Sequence, residues 1–367
     1  MDFRLDPFRS LLIMFGKLTA PTNKLIMKKL ISLIISLAFA GSSFAQMSGY
    51  SSSQSDGTTL GANETLTADG IALGNAVKLR GYVNTILQRH DRSGAGNTAS
   101  DETYVNGDVD LLIDLSPITS EVHLSAGDSA LHSVELEQAF GRYSFNQDFH
   151  LTFGRQVTVL GFDSDEWTNR YAVTNSYSGD ADRNPGKSYV DGMRLNYNNG
   201  MFGFVIGLHD MYGIHGDGND LDDGLAIDLA ASVMFFPGLE ARLGFANENG
   251  QGVNADDSSQ FNGWIAWQPN DLTLALEFDY IDLAHNHDAW DLMLLANYQF
   301  TDFFGATLRY AHMDEDDNGA ESESDRITLA LLFSLTQNFD LNLEYSHTDN
   351  DGGNDDNEFY LQALLHY

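Results

Sequence analysis

Between Leu272 and Phe300 the chain alternates apolar and polar residues with a period of two, and this pattern leaves few folds open. Leu272, Leu274, Leu276, Phe278 and Tyr280 stand against Thr273, Ala275, Glu277, Asp279 and Ile281. After a polar stretch from Asp282 to Asp288, Trp290, Leu292, Leu294, Ala296, Tyr298 and Phe300 stand against Asp291, Met293, Leu295, Asn297 and Gln299. Only an extended strand converts such a period into two faces, so the stretch predicts a hairpin of two long strands. Each has the ~9–11 residues that a tilted strand needs to cross a bilayer. Tyr280 and Trp290 flank the polar connection and Phe300 lies at the far end, where amphipathic rings settle at headgroup depth. A single hairpin of this kind suits a soluble sheet on a core equally well, so recurrence of the pattern decides.

The pattern does recur. Val77 to Arg89 alternates in the same way, with Lys78, Arg80, Tyr82, Asn84 and Gln88 on the polar side. Further strands are marked by Val109 to Leu115, Val122 and Leu124, His132 to Phe145, Phe149 to Phe153, Met193 and Leu195, Phe202 to Leu208, Ile227 to Phe235, and Leu239 to Phe245. The period slips near Ala139, which predicts a bulge, and a poorly phased strand runs through Trp264 and Trp267. Past the opening hairpin come Phe304 to Tyr310, Ile327 to Phe333, Phe339 to Tyr345 and Phe359 to Tyr367. The total is about sixteen strands, within a range of roughly fourteen to eighteen.

Tight turns alternate with longer, acidic connections. The tight ones are at Ser116-Pro117, Phe145 to Asp148, Tyr197 to Gly200, Pro237-Gly238, Gln268 to Asp271, Thr301-Asp302 and Gln337-Asn338. Two packed soluble sheets have no reason to place every long loop at one end, whereas outer-membrane barrels do so. A bilayer tolerates no unpaired backbone polar group, so a strand protein within it must close its sheet. The fold class expected is therefore all-β, a transmembrane antiparallel up-and-down β-barrel over residues 76–367. At about sixteen strands its lumen is too wide for wall side chains to fill.

Composition sets the remaining bounds. The 367 residues include no cysteine, which excludes disulfides and thiolate metal sites. A formal charge of −34 argues against nucleic acid as a partner. The mean hydropathy of −0.25 looks soluble, but strands with one lipid-facing side never build a long apolar run. Met27 to Gln46 has the three parts of a secretory signal: Lys28 and Lys29, the apolar Leu30 to Ala40, and Ser43-Phe44-Ala45 before the expected cut. Residues 1–26 then read as an upstream extension, 27–45 as the signal peptide and 46–75 as a flexible periplasmic lead-in.

Several short runs carry a family resemblance. Glu137-Gln-Ala-Phe-Gly-Arg-Tyr-Ser-Phe145, Leu151-Thr-Phe-Gly-Arg-Gln156 leading into Leu160-Gly-Phe-Asp163, and the terminal Leu361-Gln-Ala-Leu-Leu-His-Tyr367 resemble Gram-negative outer-membrane porins, most closely the OmpL-like β-barrel porins. The resemblance implies passive diffusion of small hydrophilic solutes and ions, no catalysis and no cofactor. It also implies outer-membrane lipid and lipopolysaccharide as surroundings, recognition of the C-terminal strand by the barrel-insertion machinery, and either a homotrimer or a monomer. In such porins the strand ending in Gly-Arg-Gln precedes a loop that folds into the lumen. The matching loop here, Val157 to Lys187, follows the fifth strand and carries Asp163, Asp165 and Glu166. The resemblance implies that Arg155 and other inward basic residues oppose these acids across an eyelet. By strand parity Arg155 shares a side with Leu151 and Phe153, and reaches the lumen only past a bulge. Arg80, Arg194, Arg242 and Arg309 lie on polar faces already. Pairing with acids such as Glu240 and Glu277 to stiffen the wall is the second reading for these residues.

Other constellations are weaker. Asp314, Asp316 and Asn318, with Asp325 six residues after Gly319, have the oxygen spacing of a calcium loop but flanks that read as strands. Weak Ca²⁺ or Mg²⁺ binding by these external acids, or by Asp349 to Glu358, is expected from charge alone. His285 and His287 beside Asp288 lack a third ligand at metal spacing. No Gly-x-Ser-x-Gly and no recognisable triad is present, so the chain reads as a pore and not an enzyme. Acidic mouths predict a weak cation preference. The alternative is a non-conducting structural or adhesive barrel with divalent-cation-binding loops.

Overall fold

The structure, a computed structural model, describes residues 59–93, 98–127, 134–163, 166–177, 189–210, 225–249, 257–283, 287–351 and 354–367. All of them belong to one unit, Met47–Tyr367. The expected signal peptide and its upstream extension lie outside the described residues.

Among the described residues, a two-residue strand β1 (Ile71–Ala72) precedes sixteen long ones. These are β2 (Val77–Arg92), β3 (Thr98–Leu115), β4 (Ile118–Gly127), β5 (Val134–Ser144), β6 (Phe149–Val157), β7 (Tyr189–Asn198), β8 (Phe202–His209) and β9 (Ala226–Phe236), then β10 (Leu239–Glu248), β11 (Ser258–Trp267), β12 (Leu272–Leu283), β13 (His287–Thr301), β14 (Phe304–Asp317), β15 (Ala320–Thr336), β16 (Phe339–Asn350) and β17 (Asn354–His366). Each long strand pairs antiparallel with its sequence neighbour. β17 then returns to β2, with Leu361 opposite Leu87 and Leu365 opposite Val83. The last residue completes the seam, since the Tyr367 and Gly81 backbones exchange hydrogen bonds of 3.0 Å in both directions. The sheet is a closed sixteen-stranded barrel, as the alternation predicts.

The two faces are sorted opposite to those of a soluble protein. On β8, Phe204 and Leu208 are 43% and 52% exposed, while Val205 and His209 are each 1% exposed. Asp228, Glu277, Asp279, Arg242 and Arg309 are all buried on inward faces. In the hairpin of β12 and β13 the register sets Leu276 opposite Leu294 and Tyr280 opposite Trp290, which places the apolar set on one outward surface. In lipid that exposed surface is where burial occurs.

Three details depart from the sequence reading. The bulge falls at Glu137 and not at Ala139: His123 pairs with Gln138 and Leu124 with Leu136, leaving Glu137 as the extra residue. β11 reads as poorly phased because Trp264 is buried on the inward face while Phe261 and Ile265 face outward. The acidic connection after Tyr310 is a ribbon and not a long loop. β14 and β15 pair as far as Asp317 and Ala320, and Asn318 and Gly319, with φ of 54° and 84°, make a two-residue turn of the kind that favours Asn-Gly.

The lead-in also differs from the expected flexible segment from Thr59 onward. Leu60 is fully buried in a cluster with Val159, Leu160, Val205 and Ala226. Asn198 donates to the Leu60 carbonyl at 2.7 Å, and Arg142 donates to Asn63 and Thr65 at 2.6 and 2.7 Å. A polar, aperiodic sequence suits this place because the inner wall offers hydrogen-bond partners beside the small apolar patch that receives Leu60.

Placing a cation on the lipid surface tests the assignment of faces. Leu276→Lys, near the middle of β12, should destabilise the folded barrel in vesicles by ~2–4 kcal/mol. The check is the urea midpoint of the heat-modifiable gel band, and an unchanged midpoint would contradict the lipid-facing role.

Candidate functional site

The loop after β6 enters the barrel, and wall carboxylates hold its backbone. Phe162 N–H donates to Glu277 at 2.7 Å, and Gly161 N–H donates to the Asn262 side chain at 3.0 Å. Asn262 in turn donates to Glu277 at 3.0 Å. Farther along, Val173 N–H, Thr174 N–H and the Thr174 hydroxyl all donate to Glu344 on β16. A loop crossing a lumen leaves its amides without sheet partners, and buried amides need acceptors. Glu277 and Glu344 supply them.

Side chains lock the same path. Arg309 on β14 donates to Asp163 at 3.1 Å and to the Thr174 carbonyl at 2.7 Å, and Ser176 N–H donates to Asp163 at 2.7 Å. Arg309 and Asp163 are each about 1% exposed at the side chain, so this is a contact pair and not two charges facing across open water. Phe162 stacks on Tyr171 at 5.8 Å and meets Trp264 edge-on at 5.4 Å. Leu160 reaches the wall at Gly244, where a Cβ would lie 2.3 Å from its Cδ2.

The other expected site residues fall in separate places. Arg194 on β7 pairs with Asp228 at 2.7 Å, and Asp228 lies 3.1 Å from His209. Arg242 lies 3.5 Å from Glu240 and over the Trp264 ring at 4.9 Å. Arg80 pairs with Asp110 at 2.8 Å. These contacts fit the wall-stiffening reading. Glu166 is buried near Asp108 and Glu137. Burial and the neighbouring Asp110 and Asp108 carboxylates hold the Glu166 carboxyl well above the usual range. Asp165 lies outside the described residues.

Arg155 is a correction. The β6 ladder stays in register through Gly154, with Arg155 opposite Asp191, so no bulge turns it inward. Its guanidinium lies 3.3 Å from Asp191, with the two side chains 36% and 44% exposed, and over the Tyr189 ring at 5.7 Å. Arg155 belongs to the outer surface, as its parity with Leu151 and Phe153 indicates.

The calcium-loop spacing is not gathered around one point either. Asp314 and Asp316 lie along β14, opposite Glu323 and Glu321, and Asp325 is opposite His312. Asp316 accepts from Gly319 N–H at 2.6 Å, Asn318 donates to Asp317 at 2.8 Å, and Asp325 lies 3.0 Å from His312. A two-residue turn cannot wrap an ion as a twelve-residue loop does. At the next ribbon Asp356 faces Arg92 at 2.8 Å and His90 at 3.1 Å. His287 pairs with Glu315 at 2.7 Å, and His285 lies outside the described residues.

Sequence reasoning missed Asp108, Asp110, His123, Glu137 and Glu344. Parity carried a signal for two of them, because Asp108 and Asp110 alternate with Val109 and Leu111. The approach of His123 to Asp110, at 3.2 Å, depends on register and has no local signature.

A closed barrel with a polar interior and an infolded loop agrees with the family comparison. Residues 114–362 match the family model described as "Putative beta-barrel porin-2, OmpL-like". The chain belongs to this OmpL-like porin family. An OmpL-like porin is an outer-membrane protein, and its apolar outward face contacts lipid. No curated protein gives a match. Among solved structures, the OmpL-like chain is similar to Pseudomonas putida OprB at high pH, with TM-score 0.65 and 11% identity over 80% of this chain and 94% of that one. An anion-selective porin from Comamonas acidovorans gives 0.60 and 15% over 80% and 99%. The trimer form of Vibrio cholerae OmpT gives 0.56 and 13% over 80% and 100%. At these identities the likeness is one of fold.

Removing a loop anchor should free the loop without opening the wall. In Glu344→Ala the Val173 and Thr174 amides lose their acceptor, at ~1–3 kcal/mol per buried group. Hydrogen exchange at these two amides should accelerate while the heat-modifiable gel shift persists, and unchanged protection would refute the anchoring role.

Proposed function

We propose that the barrel is a passive diffusion pore for small hydrophilic solutes and ions, weakly preferring cations and catalysing no reaction. The observation that carries this reading is the loop seated inside the barrel on Glu277, Arg309 and Glu344. A segment fixed to three wall positions narrows the lumen to a defined passage, and a narrow polar passage selects by size and charge. The cation preference is supported by the acid excess, 53 Asp and Glu against 19 Lys and Arg. It is supported further by direct pairing of the inward arginines, which leaves few basic groups to attract anions.

Three associations accompany this reading. Lipopolysaccharide would border the outer ribbons, the insertion machinery would engage the strand from Phe359 to Tyr367, and three copies would assemble as a trimer, as the trimer form of Vibrio cholerae OmpT does.

Planar-bilayer recording tests the proposal. Purified protein should give discrete conductance steps and, across a KCl gradient, a zero-current potential with the sign of a modest K⁺ preference. A potential of anion sign would overturn the selectivity, and absence of channels would favour the non-conducting structural barrel. Arg309→Ala should raise the step size or its noise, because removing one member of a buried pair costs ~3–5 kcal/mol and releases the loop.

A further inference from the structure

On the wall formed by β3, β4 and β5 lies a group of carboxylates, most of them buried, that the loop anchors described above do not involve. Asp108 and Asp110 point inward from β3, Glu121 and His123 from β4, Glu137 from β5, and Glu166 comes down from the loop. The basic groups nearby are already engaged. Arg80 pairs with Asp110 at 2.8 Å, and His123 lies 3.0 Å from Glu121 and 3.2 Å from Asp110. Arg142 faces Glu121 at 3.9 Å, and Arg170 stacks on Trp167 at 3.8 Å.

Asp108 is the anomaly in this arrangement. It is 2% exposed, yet neither of its carboxylate oxygens has a hydrogen-bond partner. The Val109 N–H and the His123 ring lie near it, but neither oxygen completes a hydrogen bond with them. A buried carboxylate left in this state is costly unless something satisfies it. It lies near Asp110 and His123, which are paired with Arg80 and Glu121, and it converges with two further carboxylates: one oxygen each from Asp108, Glu137 and Glu166 lies within 4.8 Å of the others. Oxygens held within 4.8 Å of one another share a centre no more than ~2.8 Å from each, a few tenths of an ångström outside the ~2.4 Å Ca²⁺–oxygen distance.

The backbone is built to make this convergence. Glu137 is the extra residue of the β5 bulge, and a bulge re-aims a side chain that regular pairing would send outward. Ser125 and Tyr189 hydrogen-bond the Glu137 carboxylate and fix its orientation.

We propose that Asp108, Glu137 and Glu166 bind one Ca²⁺ ion that ties the infolded loop to the β3–β5 wall. The oxygen-only donor set selects a hard cation, since His123 is held by Glu121 and Asp110. Ca²⁺ suits it better than Mg²⁺, because carboxylates from a bulge, a strand and a loop form an irregular shell and Mg²⁺ demands a near-ideal octahedron. The ion would join the wall to a part of the loop that Glu277, Arg309 and Glu344 do not hold. This inference does not depend on conduction, because binding is measured directly.

The test is calorimetric titration of full-length barrel in detergent with Ca²⁺ after EGTA treatment. One saturable site is expected. Asp108→Asn, Glu137→Gln and Glu166→Gln should each weaken it roughly ten- to hundredfold, and Asp316→Asn on the outer ribbon should leave it unchanged. Hydrogen exchange at residues 167–170 should slow when Ca²⁺ is added to the wild type. Absence of saturable binding in the wild type overturns the proposal, as does binding that survives both Asp108→Asn and Glu166→Gln. If Asp108→Asn fails to give the folded gel band, Glu166→Gln decides alone, because its side chain is on the loop and outside the wall.

Discussion

The constraint on which this structure depends is that a backbone N–H or C=O facing lipid has nothing but another strand to bond with. Closure of β17 on β2 satisfies it, and the seam runs to the final residue, where Tyr367 and Gly81 bond to each other. Much else follows from closure. A closed sheet has one face toward lipid, so the outward face is predominantly apolar. The inward face of a sixteen-stranded barrel encloses more space than its own side chains can fill. The interior therefore becomes the polar side, and its charged residues must find partners there.

The infolded loop and the lead-in supply many of those partners. Inward carboxylates on the wall need donors, and a loop without sheet pairing has amides that need acceptors. Each deficiency answers the other at Glu277 with Phe162 and at Glu344 with Val173 and Thr174, while within the loop Asp163 accepts from Ser176 N–H. Arg142 does the same for the lead-in, donating to Asn63 and Thr65. Apolar contacts hold the loop as well, with Val159 and Leu160 clustered against Val190, Val205 and Ala226, and Phe162 stacked on Tyr171 and edge-on to Trp264.

The barrel was legible in the sequence because its physics is periodic. A strand with lipid on one side repeats every two residues, so Leu272 to Phe300 announces both faces before any contact is known. The same parity placed Arg155 on the outside, and the family resemblance drew it inward; the ladder through Gly154 sides with parity. The interior was far less legible, because it depends on register and on segments without a period. Nothing local in the sequence brings His123 to Asp110 or Thr174 to Glu344. The external calcium-like spacing misleads for a related reason: Asp314, Asp316 and Asn318 are close in sequence, but an extended ribbon spreads them along its length at about 3.3 Å per residue.

The distribution of the inward arginines bears on how a solute would experience the lumen. An eyelet with a transverse field needs positive and negative rows held apart across water. Here Arg309 touches Asp163, Arg194 touches Asp228 and Arg80 touches Asp110, each at 3.1 Å or less. A pair in contact has a field that decays within a few ångströms, because the two charges nearly cancel beyond their own separation. Arginines arranged in this way stiffen the wall and orient the loop but contribute little to a standing field. In the proposed pore, any long-range potential would come from carboxylates in excess of these pairs, and it would be spread along the path and not concentrated at one narrow plane. The proposed cation preference would, in such an interior, be weak and distributed.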